Sequence, residues 1–509
     1  ALIVHVVLIG CFALLFAVGA ERMMDQIAKH QVSTAARLPM WIPWLSIPFG
    51  SVLTIVRLIE QLISMLRKNP LQHQKLTKGK VTWNDRDHHF IWRSGAVFAA
   101  GISHCHRHFL ATLAGFLYCD VSLAQMVQRM FASVNSFTIL AIPFFMLAGS
   151  LMETGGMSKR LVRFAHSLVC WLSGGLAHVQ VLSSAFFAAL SGSAPATTAA
   201  MGGILIPEMK QKEYPAEFAA AVQAVAGTVG PIIPPSIPMV VYGVFASESI
   251  GALFAAGIIP GILYCLGFSV LIYFMSKKHK YGSTEKFCPT EVWKSFKDAI
   301  WALLVPIIIL GGIYSGIFTP TEAGAVAAVY GLGAGIFIYH ELDIQSLKKC
   351  LAGAAVNTAM VMLIFASSSA FSWLMTSQGV AKLVGSWFAA VSSSSTVFYI
   401  LVILLLLFMG CFMETLASIL LVCPVLLPVA SSLGIDLVHF GIVVTMTLCL
   451  GMATPPVGEC LYIASSIAGV KFESLLKHVW PFIISAIVVI LLVTFIPDLA
   501  LFIPNLLYG

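Results

Sequence analysis

The stretch from Ala189 to Gly243 constrains this chain most. It is apolar enough for a bilayer, yet SGSAPATT (from Ser191) and GTVGPIIPPS (from Gly227) interrupt it with small, hydroxylated and glycine–proline residues. Helix cannot run through it unbroken. Hydrocarbon cannot hydrogen-bond a free N–H or C=O, so non-helical backbone at that depth persists only where protein buries it or where it lines a cavity. The pattern therefore points to a ligand at the interruptions.

A second copy of the device lies in the C-terminal half. Pro207 closes ILIP and Pro428 closes VLLP, 428 − 207 = 221 residues apart, and Gly230 and Gly451 open GPIIPP and GMATPP at the same separation. The register holds for Pro234 and Pro235 against Pro455 and Pro456. Upstream, ETGGMSKRLV (from Glu153) faces TSQGVAKLVG (from Thr376) at a slightly different offset. Paired interruptions in corresponding halves are the mark of a secondary transporter built from internal repeats, with its site where the broken helices meet.

Composition fixes the surroundings. Of 509 residues 59% are hydrophobic and 10% charged, where a soluble domain carries about 25% charged. Segments such as Ala1 to Ala20 are long enough to span a bilayer and strand-period alternation is absent, so the expected class is an all-α, polytopic membrane protein with the lipid bilayer as its surroundings. The net charge of +7 sits in short clusters such as Lys277-Lys278-His279-Lys280, which the positive-inside bias places in cytoplasmic loops. Nucleic acid is not an expected partner, since no soluble domain offers a basic face. The eleven cysteines are scattered without a CxxC pair and read as small buried hydrophobes. No GxxxxGK[ST], HExxH or GxSxG motif is present, so neither ATP-driven transport nor hydrolysis is expected.

In chain order, residues 1–68 read as two helices, residues 69–90 as a polar linker and residues 91–509 as the main body, with repeats over about 126–276 and 351–493. The segment holding Arg93, His104, Cys105, His106 and His108 is too polar for an ordinary span; it reads as a helix end at the interface, with a short metal-binding tract as the alternative. Helices are expected over Ser136–Met152, Leu161–Ser173, Ala216–Ala226 and Ile237–Ala246, with Val181–Pro207 as the first interrupted segment and Thr494–Gly509 as a tail. Thr319, Pro320 and Glu322 form a sound helix start.

The candidate ligands follow. In the first copy Ser191, Gly192, Ser193, Thr197 and Thr198 bring hydroxyls and freed carbonyls, the hard donors an alkali cation prefers, although small residues also serve helix packing. Gly227 and Gly230 allow unusual dihedrals, and Pro231, Pro234 and Pro235 deprive upstream carbonyls of helical donors. In the second copy the corresponding residues are Glu414, Thr415 and Ser418, with Gly451, Thr454 and Pro455. Glu414 beside the hairpin tip is a functional candidate, whereas Glu459 suits an aqueous mouth equally well. Half-helix N-termini after the breaks favour an acid as cargo.

At SGSAPATTAAMGGILIPEM, AGTVGPIIPPSIPMVVYG, GIFTPTEAGAVAAVYG and VCPVLLPVA the chain resembles the tripartite ATP-independent periplasmic (TRAP) transporters, in particular their large membrane component, from about Val121 onward. Residues 1–68 resemble the last two helices of the small component, which implies a fused protein that begins earlier than Ala1. The resemblance implies inverted repeats with two re-entrant hairpins and an elevator-type, sodium-driven importer, fed by a periplasmic substrate-binding protein. It implies one Na+ site at Ser191, Gly192, Ser193, Ala194, Gly227, Gly230 and Pro231 and a second at Glu414, Thr415, Ser418, Gly451, Thr454 and Pro455, with Thr197, Thr198, Ser236 and Glu414 toward the substrate. Fusion is similar to the sialic acid members, which makes N-acetylneuraminate the expected cargo. C4-dicarboxylates or another sugar acid are the alternative, as is a sodium:anion symporter that needs no binding protein. Where the family often has Asp-Pro-Thr, this chain has Glu414-Thr415-Leu416.

Overall fold

The computed structural model describes residues 109, 112–113, 115–117, 119 and 121–508, apart from 280, 282–285 and 378–393. The expected N-terminal helix pair, the polar linker, the His104 tract and most of the stretch facing ETGGMSKRLV lie outside the described residues. Among the described residues every regular element is helical, and six helices, or seven if one bent pair is a single span, are long and apolar enough to cross a membrane.

Helix α1 (Leu123–Val134) and α2 (Ala141–Thr154) join through a 3-10 turn at Thr138–Leu140 and are bent 69° from one another. The continuous helix expected from Ser136 to Met152 thus starts in a tighter turn, because Pro143 has no N–H to give the Ile139 carbonyl. Gly156, at φ +81°, then reverses the chain into α3 (Met157–Val169). This helix begins four residues before the expected Leu161. Arg163 ties it by ion pairs to Glu291 (2.9 Å) and Asp298 (3.3 Å).

The first repeat continues with α4 (Gly175–Ser191) and α5 (Ala194–Gln211), which form a hairpin, then α6 (Ala216–Gly227), α7 (Ile237–Ala246) and α8 (Ile250–His279). Two helices, α9 (Pro289–Tyr314) and α10 (Pro320–Gly333), lead to a π-helical segment at Ala334–Ile338. The start of α10 is the expected one: Thr319 and Glu322 form a reciprocal capping box with Pro320 in the first turn. The second repeat comprises α11 (Ile344–Ser377), the hairpin α12 (Ser395–Gly410) and α13 (Thr415–Ser432), then α14 (Leu437–Gly451), α15 (Glu459–Ala468) and α16 (Phe472–Phe495). The expected tail folds as a short helix, α17 (Asp498–Tyr508), packed on α8.

The 221-residue register extends to the ends of the helices. The second hairpin arms start at Ala194 and Thr415 (415 − 194 = 221) and stop at Gln211 and Ser432 (432 − 211 = 221), and α6 and α14 start at Ala216 and Leu437. The Pro234–Pro235 and Pro455–Pro456 peptides are both cis. The two copies also interlock: α5 packs on α15 and α7 packs on α13. Each hairpin thus rests on the second half of the other repeat's broken helix, the pairing a two-fold relation between repeats requires. Among the described residues this is a polytopic helical bundle with inverted repeats and two re-entrant hairpins.

The first break is enclosed, while the second is buried at Gly451, Met452 and Ala453 and opens outward at the exposed Pro456 and Val457. Residues 225–236 are buried apart from half-buried Ile233, and their backbone tightens into i→i+3 bonds such as Thr228 N–H to Val225 O (3.1 Å) and Gly230 N–H to Gly227 O (3.0 Å). In the second break Ala453 N–H donates to Leu450 O (2.9 Å) and Thr454 N–H to Gly451 O (2.9 Å). Backbone freed from helix is thereby satisfied inside the protein, as the bilayer demands.

Candidate functional site

The first hairpin turns at Gly192, φ +61°, and presses on the first break. A Cβ on Gly192 would meet Pro235 O at 2.9 Å and Ile237 N at 3.1 Å, so only glycine allows this approach. Ser193, in extended conformation, starts α5. Thr197 Oγ1 donates to Ser193 O (2.7 Å) and accepts from Ser191 Oγ (3.0 Å), and Thr198 Oγ1 donates to Ala194 O (2.9 Å). Gly230 sits against this group: its absent Cβ would lie 2.8 Å from Ser193 O, 2.8 Å from Thr197 Oγ1 and 3.1 Å from Gly227 O. Gly227 likewise faces Thr198 Oγ1 and Ala194 O. The first tip is therefore a cluster of neutral oxygens from two chain segments, the donor chemistry of an alkali cation.

The second tip is built differently. Glu414 starts α13, and Thr415 Oγ1 donates to Met452 Sδ (3.0 Å) with Cys449 Sγ at 3.7 Å. Cys411 Sγ donates to Pro455 O (3.3 Å), and Gly458 N–H donates to Cys411 O (3.0 Å), which pins the tip to the second break. Gly410 and Gly451 bring their backbones into contact, and a Cβ on Gly451 would stand 2.5 Å from Gly410 Cα. Thr454 Oγ1 is spent on Leu450 O (2.8 Å). Ser418 Oγ, the 221-residue counterpart of Thr197, is buried without a protein partner.

The tips meet around a cavity of about 60 Å³ lined by Gly192, Ser193, Ala194 and Pro195 of the first hairpin and Glu414, Thr415 and Leu416 of the second. Pro231, Ile237, Pro238 and Met452 come from the breaks, and Met146 and Val361 from α2 and α11. First turns of three helices, α5, α7 and α13, therefore face one space, and Glu414 is the one charged residue among its lining. Helix N-termini carry partial positive charge from free N–H groups, so the cavity favours an anion. About 60 Å³ admits a few waters, whereas pockets for small organic ligands run to roughly 300 Å³ or more.

Of the sequence candidates, Gly192, Ser193, Ala194, Pro231, Glu414 and Thr415 line the cavity. Ser191, Thr197, Thr198, Gly227 and Gly230 form the oxygen cluster behind the first tip, while Ser418, Gly451, Thr454 and Pro455 lie behind the second. The Pro231 carbonyl, expected to be free, accepts Ser236 Oγ at 2.5 Å. Ser236 Oγ also accepts from Met239 N–H (3.3 Å), so this residue caps α7. Ser236→Ala removes both bonds and is expected to lower unfolding free energy by about 2 kcal/mol, seen as a lower melting temperature in detergent with substrate absent. Glu459 is exposed in the first turn of α15 and does not line the cavity. Met146 and Val361 escaped the sequence reading because they sit in uninterrupted apolar helices.

Two interlocked hairpins and two broken helices closing on one cavity define a membrane permease of the secondary-transporter class. Residues 98–499 match the family described as Tripartite ATP-independent periplasmic transporter, DctM component, and residues 1–68 match its DctQ component. The chain belongs to the TRAP transporters, as a permease in which small and large components are fused. It is 40% identical over 382 residues to the sialic acid TRAP transporter large permease protein SiaM of Vibrio cholerae, covering 75% of this chain and 90% of that protein. It is 36% identical to the isethionate TRAP transporter permease protein DctMQ of Oleidesulfovibrio alaskensis, over 97% of this chain and 80% of that one. The C4-dicarboxylate TRAP transporter large permease protein DctM of Pseudomonas aeruginosa is 40% identical, over 76% of this chain and 91% of that protein. The YdaH transporter of Alcanivorax borkumensis shares the fold, with a TM-score of 0.52 and 12% identity over 74% of this chain and 89% of that chain. Like other TRAP permeases, the chain is a multi-pass inner-membrane protein and not an enzyme.

Proposed function

We propose that this permease imports a small organic anion together with Na+, and that a periplasmic substrate-binding protein delivers the anion. The observation that carries the reading is the convergence of three helix N-termini on one cavity beside a cluster of neutral oxygens. The N-termini attract the carboxylate or sulfonate of the cargo, and the oxygens suit the cation. Since the cavity is too small for a sugar acid, loading requires the tips to separate and transport requires them to close again. N-acetylneuraminate is the cargo tried first, while the fused relative that covers 97% of this chain is named for isethionate. Relatives named for sialic acid and for C4-dicarboxylates are equally similar at 40%, so identity alone does not rank the acids.

The test is uptake into proteoliposomes with and without an inward Na+ gradient and a cognate binding protein. Labelled N-acetylneuraminate, a C4-dicarboxylate, isethionate and 2,3-diketo-L-gulonate are compared side by side. Accumulation of N-acetylneuraminate that needs both sodium and the binding protein is expected. Accumulation of another acid under the same two requirements would replace the cargo and keep the mechanism, and sodium-independent uptake would overturn the coupling.

A further inference from the structure

Between α4 and α6, behind the first hairpin tip, lies a seam of polar side chains outside the cavity. Gln180, Ser183, Ser184 and Gln223 are each 0% exposed. Gln180 Nε2 donates to Ala219 O (3.2 Å) and Gln223 Nε2 donates to Ser184 Oγ (3.3 Å), so both amides are fixed across the seam. The amide oxygens of both glutamines and Ser183 Oγ have no hydrogen-bond partner within the protein. Buried acceptors in this state are strongly unfavourable unless something donates to them.

Helical spacing places Gln180, Ser184 and Ser191 along one face of α4, and Gly227 follows Gln223 by one turn of α6. The seam thus leads to the oxygen cluster at the first tip. At Ser183, Ser184 and Gln223 the second repeat shows that packing does not call for a polar group, whereas Gln180 matches Tyr399, whose hydroxyl pairs with His439 Nδ1. Aligning the ends of the first hairpin arms, Gly192 with Cys411 (411 − 192 = 219), matches Ser183 with Val402 and Ser184 with Ile403, and the 221-residue register matches Gln223 with Val444. All three counterparts are buried and apolar, and α12 packs on α14 as α4 packs on α6.

We propose that the α4–α6 seam holds water bridging the Gln180 and Gln223 amide oxygens and Ser183 Oγ, and that this water hydrates the cation as it enters and leaves the first tip. The functional half of the proposal rests on the sodium-coupled reading above. Water suits the seam because it can donate to the unpaired amide oxygens of Gln180 and Gln223 and still pair with Ser183 Oγ.

Two measurements test it. High-resolution electron cryo-microscopy of the wild-type protein is expected to show solvent density between Gln180 and Gln223. The double variant Ser184→Ile/Gln223→Val installs the second repeat's residues and is expected to keep the wild-type melting temperature. Its half-saturating Na+ concentration for uptake should rise on the order of tenfold, the factor that loss of one solvating hydrogen bond gives. If that variant does not fold, Gln223→Met alone is read the same way. An empty seam, or a folded variant with wild-type sodium dependence, overturns the proposal. Should the wild type transport without sodium, the coupling reading fails on its own and the functional half falls with it, while the density still decides whether the seam holds water.

Discussion

Gly230→Ala is expected to reduce sodium-driven uptake by about a hundredfold or more while leaving most of the protein folded. The position does not need a left-handed backbone, so alanine is not excluded by dihedral strain. The added methyl would instead stand 2.8 Å from Ser193 O and Thr197 Oγ1 and 3.1 Å from Gly227 O, inside the cluster assigned to the cation. Backbone oxygens cannot turn aside as a flexible side chain can. Relief requires the tip of the first hairpin to back away from the break, and overpacking of this kind costs about 1–3 kcal/mol of stability. The same displacement separates the oxygens that have to converge on one ion, and a misplacement of about 1 Å at a site can cost a hundredfold in rate. Gly203→Ala, in α5 with nothing within 4 Å of its Cβ, is the control and should transport normally. Equal uptake by the two variants would return Gly230 to the packing residues.

Glu414→Gln is expected to uncouple the transporter rather than merely slow it. Glu414 is the one charge in a cavity that favours an anion by its helix ends, so carboxylate and cargo compete for the same positive potential. Two unit charges about 5 Å apart at an effective dielectric near 20 repel by about 3 kcal/mol, enough to keep an anion out until a cation arrives between them. With glutamine the shape is kept and the repulsion is gone. The expected result is cargo binding that no longer depends on Na+, measured by isothermal titration with and without sodium, together with at least a tenfold loss of gradient-driven accumulation. Glu414→Asp should retain coupling. Unchanged sodium dependence in Glu414→Gln would remove Glu414 from the coupling role.

The breaks were legible in the sequence because they violate the only rule a bilayer enforces on backbone, and proline and glycine mark them directly. The 221-residue register read from Pro207, Gly230 and the Pro-Pro pairs carries through to the first and last residues of α5 and α13. What packs on what was not legible. That α5 meets α15 and α7 meets α13 has no local signature, since each face reads only as apolar. The partners of individual groups escaped for the same reason. Ser236 carries the sequence marks of a helix cap, serine followed by Ile-Pro, yet its hydroxyl also suits a ligand, and only the distances to Pro231 O and Met239 N separate the two roles. Thr415 reads in the sequence as an oxygen ligand, and the structure faces it with the sulfur atoms of Met452 and Cys449, which no spacing rule foretells.

The interlocking of the two repeats bears on how the protein is made. The arm that ends at Gln211 rests on α15, whose first residue, Glu459, is translated 459 − 211 = 248 residues later. At about 5–20 residues per second the first hairpin waits roughly 12–50 s for its neighbour. During that interval the hairpin and the first break cover one another, but α5 lacks α15 and α7 lacks α13. A ribosome that stalls between α10 and α11 leaves a half-protein in which the faces of α5 and α7 that meet the second repeat stay unpaired. Two separately encoded halves, by contrast, have everything needed to assemble if they meet within the lifetime of the first.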